Sequence, residues 1–85
     1  MSELRELGVF GASEYVKAEF KKMSLSASAA SKEMGVSNST VSRFLSGNDL
    51  TPSLAASLNK AFGFDIELLF KYECARKIHE TKSLI

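Results

Sequence analysis

Apolar residues recur at helical spacing along most of the chain, and no stretch keeps a period of two for long, so the pattern predicts an all-α protein. Glycine and proline divide it: Gly8 and Gly11 near the start, Gly35 and Gly47 around the middle, Pro52 soon after, and Gly63 before Phe64-Asp65. Five helices fit between these marks. The first spans about Ser13 to Met23, with Ser13 as cap and Val16, Phe20 and Met23 on one face. The second spans about Ser26 to Met34 and turns Ala27, Ala30, Ser31 and Met34 inward. The third is capped by Ser37 and buries Val41, Phe44 and Leu45 before Gly47 ends it. Thr51 as cap and Pro52 at the first helical position open the fourth, whose stripe is Leu54, Ala55, Leu58, Ala61 and Phe62. Asp65 caps the fifth, which shows Ile66, Leu69, Phe70, Cys74, Lys77 and Ile78 along one side. Residues 1–11 read as an N-terminal arm, 12–80 as one domain, and 81–85 as a tail.

The segment from Ala27 to Leu45 changes this from a generic bundle into a candidate DNA reader. A helix-turn-helix needs a small residue where its second helix crosses its first, and Ser31 beside Ala30 supplies it. The turn needs a residue tolerant of positive φ, and Gly35 follows four positions later. Val36 pins the turn to the core, and Val41 and Phe44 bury one side of the second helix. Its other side carries Asn38, Ser39, Ser42 and Arg43, with Thr40 at one edge and Ser37 at the mouth. Arginine matches guanine O6/N7, asparagine matches adenine N6/N7, and hydroxyls serve several bases or phosphate. Free N–H groups at the helix start favour a phosphate. Together with Ser28 on the preceding helix, these residues form the candidate DNA-binding set: Ser28, Ser37, Asn38, Ser39, Thr40, Ser42 and Arg43. Any one polar residue on a helix face is ordinarily just solvated, so the whole pattern carries the reading.

Charge supports it only through its distribution. The 85 residues carry a formal net charge of +1. Between Phe20 and Asn48 stand Lys21, Lys22, Lys32 and Arg43 against one acid, Glu33, and nothing from Ser37 to Asn48 is acidic. Hydrophobic residues at 45% and charged residues at 25% exclude a wholly disordered chain. A chain this short buries a small core, which oligomerisation would reinforce. No apolar run reaches membrane-spanning length, and the start is too charged for a signal peptide, so a cytoplasmic protein is expected. One cysteine and one histidine cannot assemble a zinc site, and no cofactor motif or nucleophile–base pair appears, so no enzyme is expected. Cys74 reads as a small core residue and His79 as exposed near the end of the last helix.

The string Met34-Gly35-Val36-Ser37-Asn38-Ser39-Thr40-Val41-Ser42-Arg43-Phe44-Leu45-Ser46-Gly47 resembles the helix-turn-helix of the lambda-repressor and Cro-like (XRE) family. Its continuation, Leu50-Thr51-Pro52-Ser53-Leu54-Ala55 through Lys60-Ala61-Phe62-Gly63, then Glu67-Leu68-Leu69-Phe70 and Tyr72-Glu73, is similar to HigA-type antitoxins of bacterial toxin–antitoxin modules. That resemblance implies a five-helix, lambda-repressor-like domain. It also implies a homodimer on a palindromic operator upstream of its own operon, and a ribonuclease toxin as protein partner. Stand-alone XRE-type repressors of phage or chromosomal origin share the same core and form the alternative, as does an interaction module that has lost DNA binding. For a dimer, the second apolar side of the fifth helix, Leu68, Tyr72 and Ala75, is the expected contact, with Leu4 to Phe10 as the other possibility.

Overall fold

In the computed structural model, backbone is described from residue 2 to residue 85 and side chains from residue 11 onward. The described residues form five helices: α1 (Ser2–Lys22), α2 (Ala27–Met34), α3 (Asn38–Leu45), α4 (Pro52–Phe62) and α5 (Ile66–Ser83). Among the described residues there is no strand, and no helix is long and apolar enough to cross a membrane.

Local chemistry sets four of the five starts. Ser26, Ser37, Thr51 and Asp65 have extended backbones, and each side chain accepts the N–H three residues ahead. Each satisfies a donor that the first helical turn leaves free. Pro52 then opens α4, where a missing N–H costs nothing.

α1 differs from the expected helix. It is broken at Gly11, whose φ of 70° and ψ of −169° are not helical, so the regular turns resume there rather than at a Ser13 cap. Ser13 lies inside at 4% exposure. The break has a packing reason as well as a conformational one: a Cβ at Gly11 would fall 2.6 Å from Arg76 Cδ. Beyond it Ala12, Val16 and Phe20 face the core, whereas Met23, expected on the same face, lies past the helix end and is 48% exposed. The arm read over residues 1–11 falls, for its side chains before Gly11, outside the described residues, as does the Leu4–Phe10 contact.

The core joins all five helices through Val16, Phe20, Ala30, Val41, Phe44, Leu58 and Leu69, each at most 3% exposed, and their neighbours. An aromatic group closes it: Phe20, Phe62 and Phe64 meet edge to face, and Tyr15 meets Phe64 in the same way with centroids 5.8 Å apart. Tyr15 also stacks on Tyr72 of α5, 4.6 Å apart and within 10° of parallel. Burial pushes the Tyr15 hydroxyl pKa up, with the Glu19 carboxylate acting in the same sense.

The inward side of α5 is where the expectation fails. Leu69 is buried and Phe70 packs half-buried against the core, but Ile66, Cys74, Lys77 and Ile78 are exposed. Cys74 is therefore not a core residue. Glu73 is buried in their place, Tyr72 packs on Tyr15, and the Arg76 side chain is 12% exposed. The helix is turned so that a charged group faces inward, and its buried charges are compensated by one another. His79 is exposed, as expected.

Candidate nucleic-acid interface

α2 and α3 are joined by Gly35-Val36-Ser37. Gly35 takes the left-handed conformation, φ 70° and ψ 30°, and Val36 N–H returns to the Ser31 carbonyl at 3.1 Å, which closes the end of α2. Ser31 is 4% exposed and Ala30 fully buried, so the small residues stand where α3 crosses. The Ser31 hydroxyl donates to the Ser28 carbonyl at 2.7 Å and carries no unsatisfied polar group into the core. Val36 packs half-buried against that core.

The two sides of α3 then divide sharply. Val41 and Phe44 are 1% and 3% exposed. Ser37, Asn38, Ser39, Thr40, Ser42 and Arg43 are all exposed, as is Ser28 on α2. Within this set two groups differ in readiness. Ser37 Oγ caps Thr40 N–H at 3.2 Å and lies 2.7 Å from Thr40 Oγ1 and 3.2 Å from Ser39 Oγ, so the three hydroxyls form a cluster at the helix mouth. Among the described residues none bonds to the side chains of Asn38, Ser42 or Arg43, which stand in solvent, Asn38 and Ser42 a turn apart and Arg43 next to Ser42. The arrangement offers amide and hydroxyl donors near the helix N-terminus and a guanidinium in the last turn, with no carboxylate among them.

A second group of functional interest escaped the apolar pattern. The loop leaving α3 folds back on it, with Gly47 N–H donating to Phe44 O at 3.0 Å and Asn48 N–H to Arg43 O at 3.1 Å. Its next residues are tied to α5. Leu50 N–H donates to Glu73 Oε2 at 2.9 Å, and Arg76 donates to Glu73 at 2.8 Å, Asp49 at 2.9 Å and Glu80 at 2.7 Å. Lys77 Nζ meets the other Asp49 oxygen at 2.8 Å. Hydrogen bonds from Lys77 and then Arg76 hold the Asp49 carboxyl below the usual range. Burial works to raise Glu73, but the Arg76 guanidinium and the Leu50 N–H outweigh it and leave the carboxyl lowered. The Arg76 guanidinium is raised, Glu73 being the main cause. The i,i+3 and i,i+4 spacings of Glu73, Arg76 and Glu80 were the available signal. No group of three His, Cys, Asp or Glu side chains suited to a metal occurs among the described residues.

The family model HTH_3, described as Helix-turn-helix, matches residues 16–69, from the middle of α1 through the first turn of α5. No curated protein matches the chain. The matched span covers the whole of α2, α3 and α4 and so contains the crossing, the Gly35 turn and the polar face of α3 described above. With that match over more than half its length, the chain belongs to the XRE-type helix-turn-helix family of DNA-binding transcriptional regulators.

Proposed function

We propose that the protein is a sequence-specific repressor that binds a palindromic operator as a homodimer, with α3 in the major groove and Asn38, Ser39, Ser42 and Arg43 at base edges. Ser28, Ser37 and Thr40 hold phosphate beside them. The observation that carries this reading is the face of α3: exposed, rich in donors and free of acid from Ser37 to Asn48. One such helix reads half a site, and a two-fold partner whose helix lies about 34 Å away reads the other. The resemblance of the Thr51–Gly63 segment to HigA-type antitoxins supports a further step, in which the repressor controls its own operon and neutralises a ribonuclease toxin.

The Leu68–Tyr72–Ala75 side does not suit a dimer contact, because Tyr72 is committed to Tyr15 within the chain. The outer side of α5 takes its place. Ile66, at 42% exposed, Phe70, Cys74 and Ile78, at 50% exposed, recur every four residues. Phe70 and Ile78 are equidistant in sequence from Cys74, so a two-fold axis through Cys74 sets Phe70 of one copy against Ile78 of the other. Such self-complementarity is what an isologous contact requires.

The test is a gel shift on the chain's own promoter fragment against scrambled duplex, followed by co-expression with the neighbouring reading frame. Sequence-selective binding and rescue from a toxic neighbour are expected. Selective binding beside a harmless neighbour leaves a stand-alone repressor, and equal binding to both duplexes ends the operator reading.

A further inference from the structure

Glu73, Arg76 and Lys77 converge on one place, the loop that leaves α3. That loop is folded against the last turn of α3 by Asn48 N–H on the Arg43 carbonyl, 3.1 Å away. Asp49 comes next and is the first acid in the sequence after Glu33. Both of its carboxylate oxygens are drawn toward α5, Oδ1 to Arg76 at 2.9 Å and Oδ2 to Lys77 at 2.8 Å. Arg76 is itself fixed, by Glu73, by Glu80 and by the space that Gly11 leaves open. Glu73 pins the following residue through Leu50 N–H.

We propose that Arg76 and Lys77 are positioning residues for DNA binding, which hold the Asp49 carboxylate against α5 and so keep an acid off the phosphate-facing edge of α3. This rests on α3 being the helix that meets DNA. Duplex DNA is a dense polyanion, and a carboxylate loose beside Arg43 works within a screening length of about 10 Å against the cations that attract it. Held between Arg76 and Lys77 on α5, the same carboxylate is kept from turning toward that edge. Arg76 and Lys77 lie beyond residue 69, outside the segment that matches the family, so affinity at α3 depends on a helix surface the family pattern does not contain.

The experiment is a set of mutant cycles on the full chain, read by fluorescence anisotropy on a random-sequence duplex over a salt series. Lys77→Gln removes one partner at a half-exposed site. Glu73→Gln with Arg76→Gln removes both buried charges together and keeps an oxygen for Leu50 N–H. Each is made with and without Asp49→Asn. Alone, Asp49→Asn changes affinity less than twofold, because its carboxylate is already held against α5. Each clamp variant weakens binding about fivefold at low salt, and adding Asp49→Asn restores it to within twofold of wild type. The gap closes as salt rises. If Asp49→Asn fails to restore a variant that melts like wild type, the clamp supports the loop without governing charge, and the proposal falls. It also falls if both clamp variants bind as wild type does. Should the paired variant fail to fold, the Lys77→Gln cycle decides alone. A wild-type chain that binds no duplex at any salt defeats the reading of α3 itself, which is a separate result.

Discussion

Arg43 is the one cation between Ser37 and Asn48, and neither it nor Asn38 supports the core. Arg43→Ala and Asn38→Ala therefore leave the circular dichroism spectrum unchanged while weakening operator binding. A good bidentate base contact contributes about 1–3 kcal/mol of discrimination, which sets the size of each loss. Undiminished binding in both would place the reading face elsewhere on α3. Glu73 is the opposite kind of residue, buried and remote from any base. Its folded carboxyl lies below the ordinary value, so it stabilises the fold above the ordinary carboxylate range and loses that contribution as pH falls through its lowered value. Thermal melts of wild type fall steeply below about pH 4, whereas Glu73→Gln starts lower at neutral pH and declines less. Parallel curves would show that Glu73 is not coupled to folding.

Among the elements, α3 depends most on its hidden side. Phe44→Ala empties a site 3% exposed, and such truncations cost about 3–5 kcal/mol. Its melting point drops before DNA is added, in contrast to Arg43→Ala, and a wild-type melt would mean α3 is turned differently. The second, third and fourth helices were legible in the sequence because their signals are local: Ser26, Ser37 and Thr51 each cap the turn that follows them, and Val41 and Phe44 sit one turn apart. The polar face of α3 was legible for the same reason, being what remains once the apolar side is assigned. The inner side of α5 was not. Apolar spacing selects Ile66, Leu69, Phe70, Cys74, Lys77 and Ile78; the fold buries Leu69 and half-buries Phe70 as expected, but exposes the other four, buries Glu73 and half-buries Tyr72 and Arg76. A charged group becomes a good interior neighbour only when its partners arrive, and Asp49 and Leu50 come from more than twenty residues away. Gly11 was legible as a break, but its packing reason was not, since Gly11 answers to Arg76 at the far end of the chain.

For the whole molecule, the proposed two-fold contact along α5 makes Cys74 a reporter. It is the single cysteine and is exposed. Mild oxidation of a dimer centred there yields one covalent dimer on a non-reducing gel, and Ile66→Glu with Ile78→Glu yields a folded monomer by sedimentation that binds half-sites weakly. A double variant that remains dimeric moves the contact off this side of α5. The stack of Tyr15 on Tyr72 has a different consequence. The chain contains two tyrosines and no tryptophan, and both tyrosines stand in that one stack between α1 and α5. Its intrinsic emission thus comes from a single contact on neither α2 nor α3. When α3 docks as part of a rigid body, that light stays constant, and it changes when α5 slides against α1. The molecule carries an optical gauge, already installed, for motion of the helix that holds Asp49.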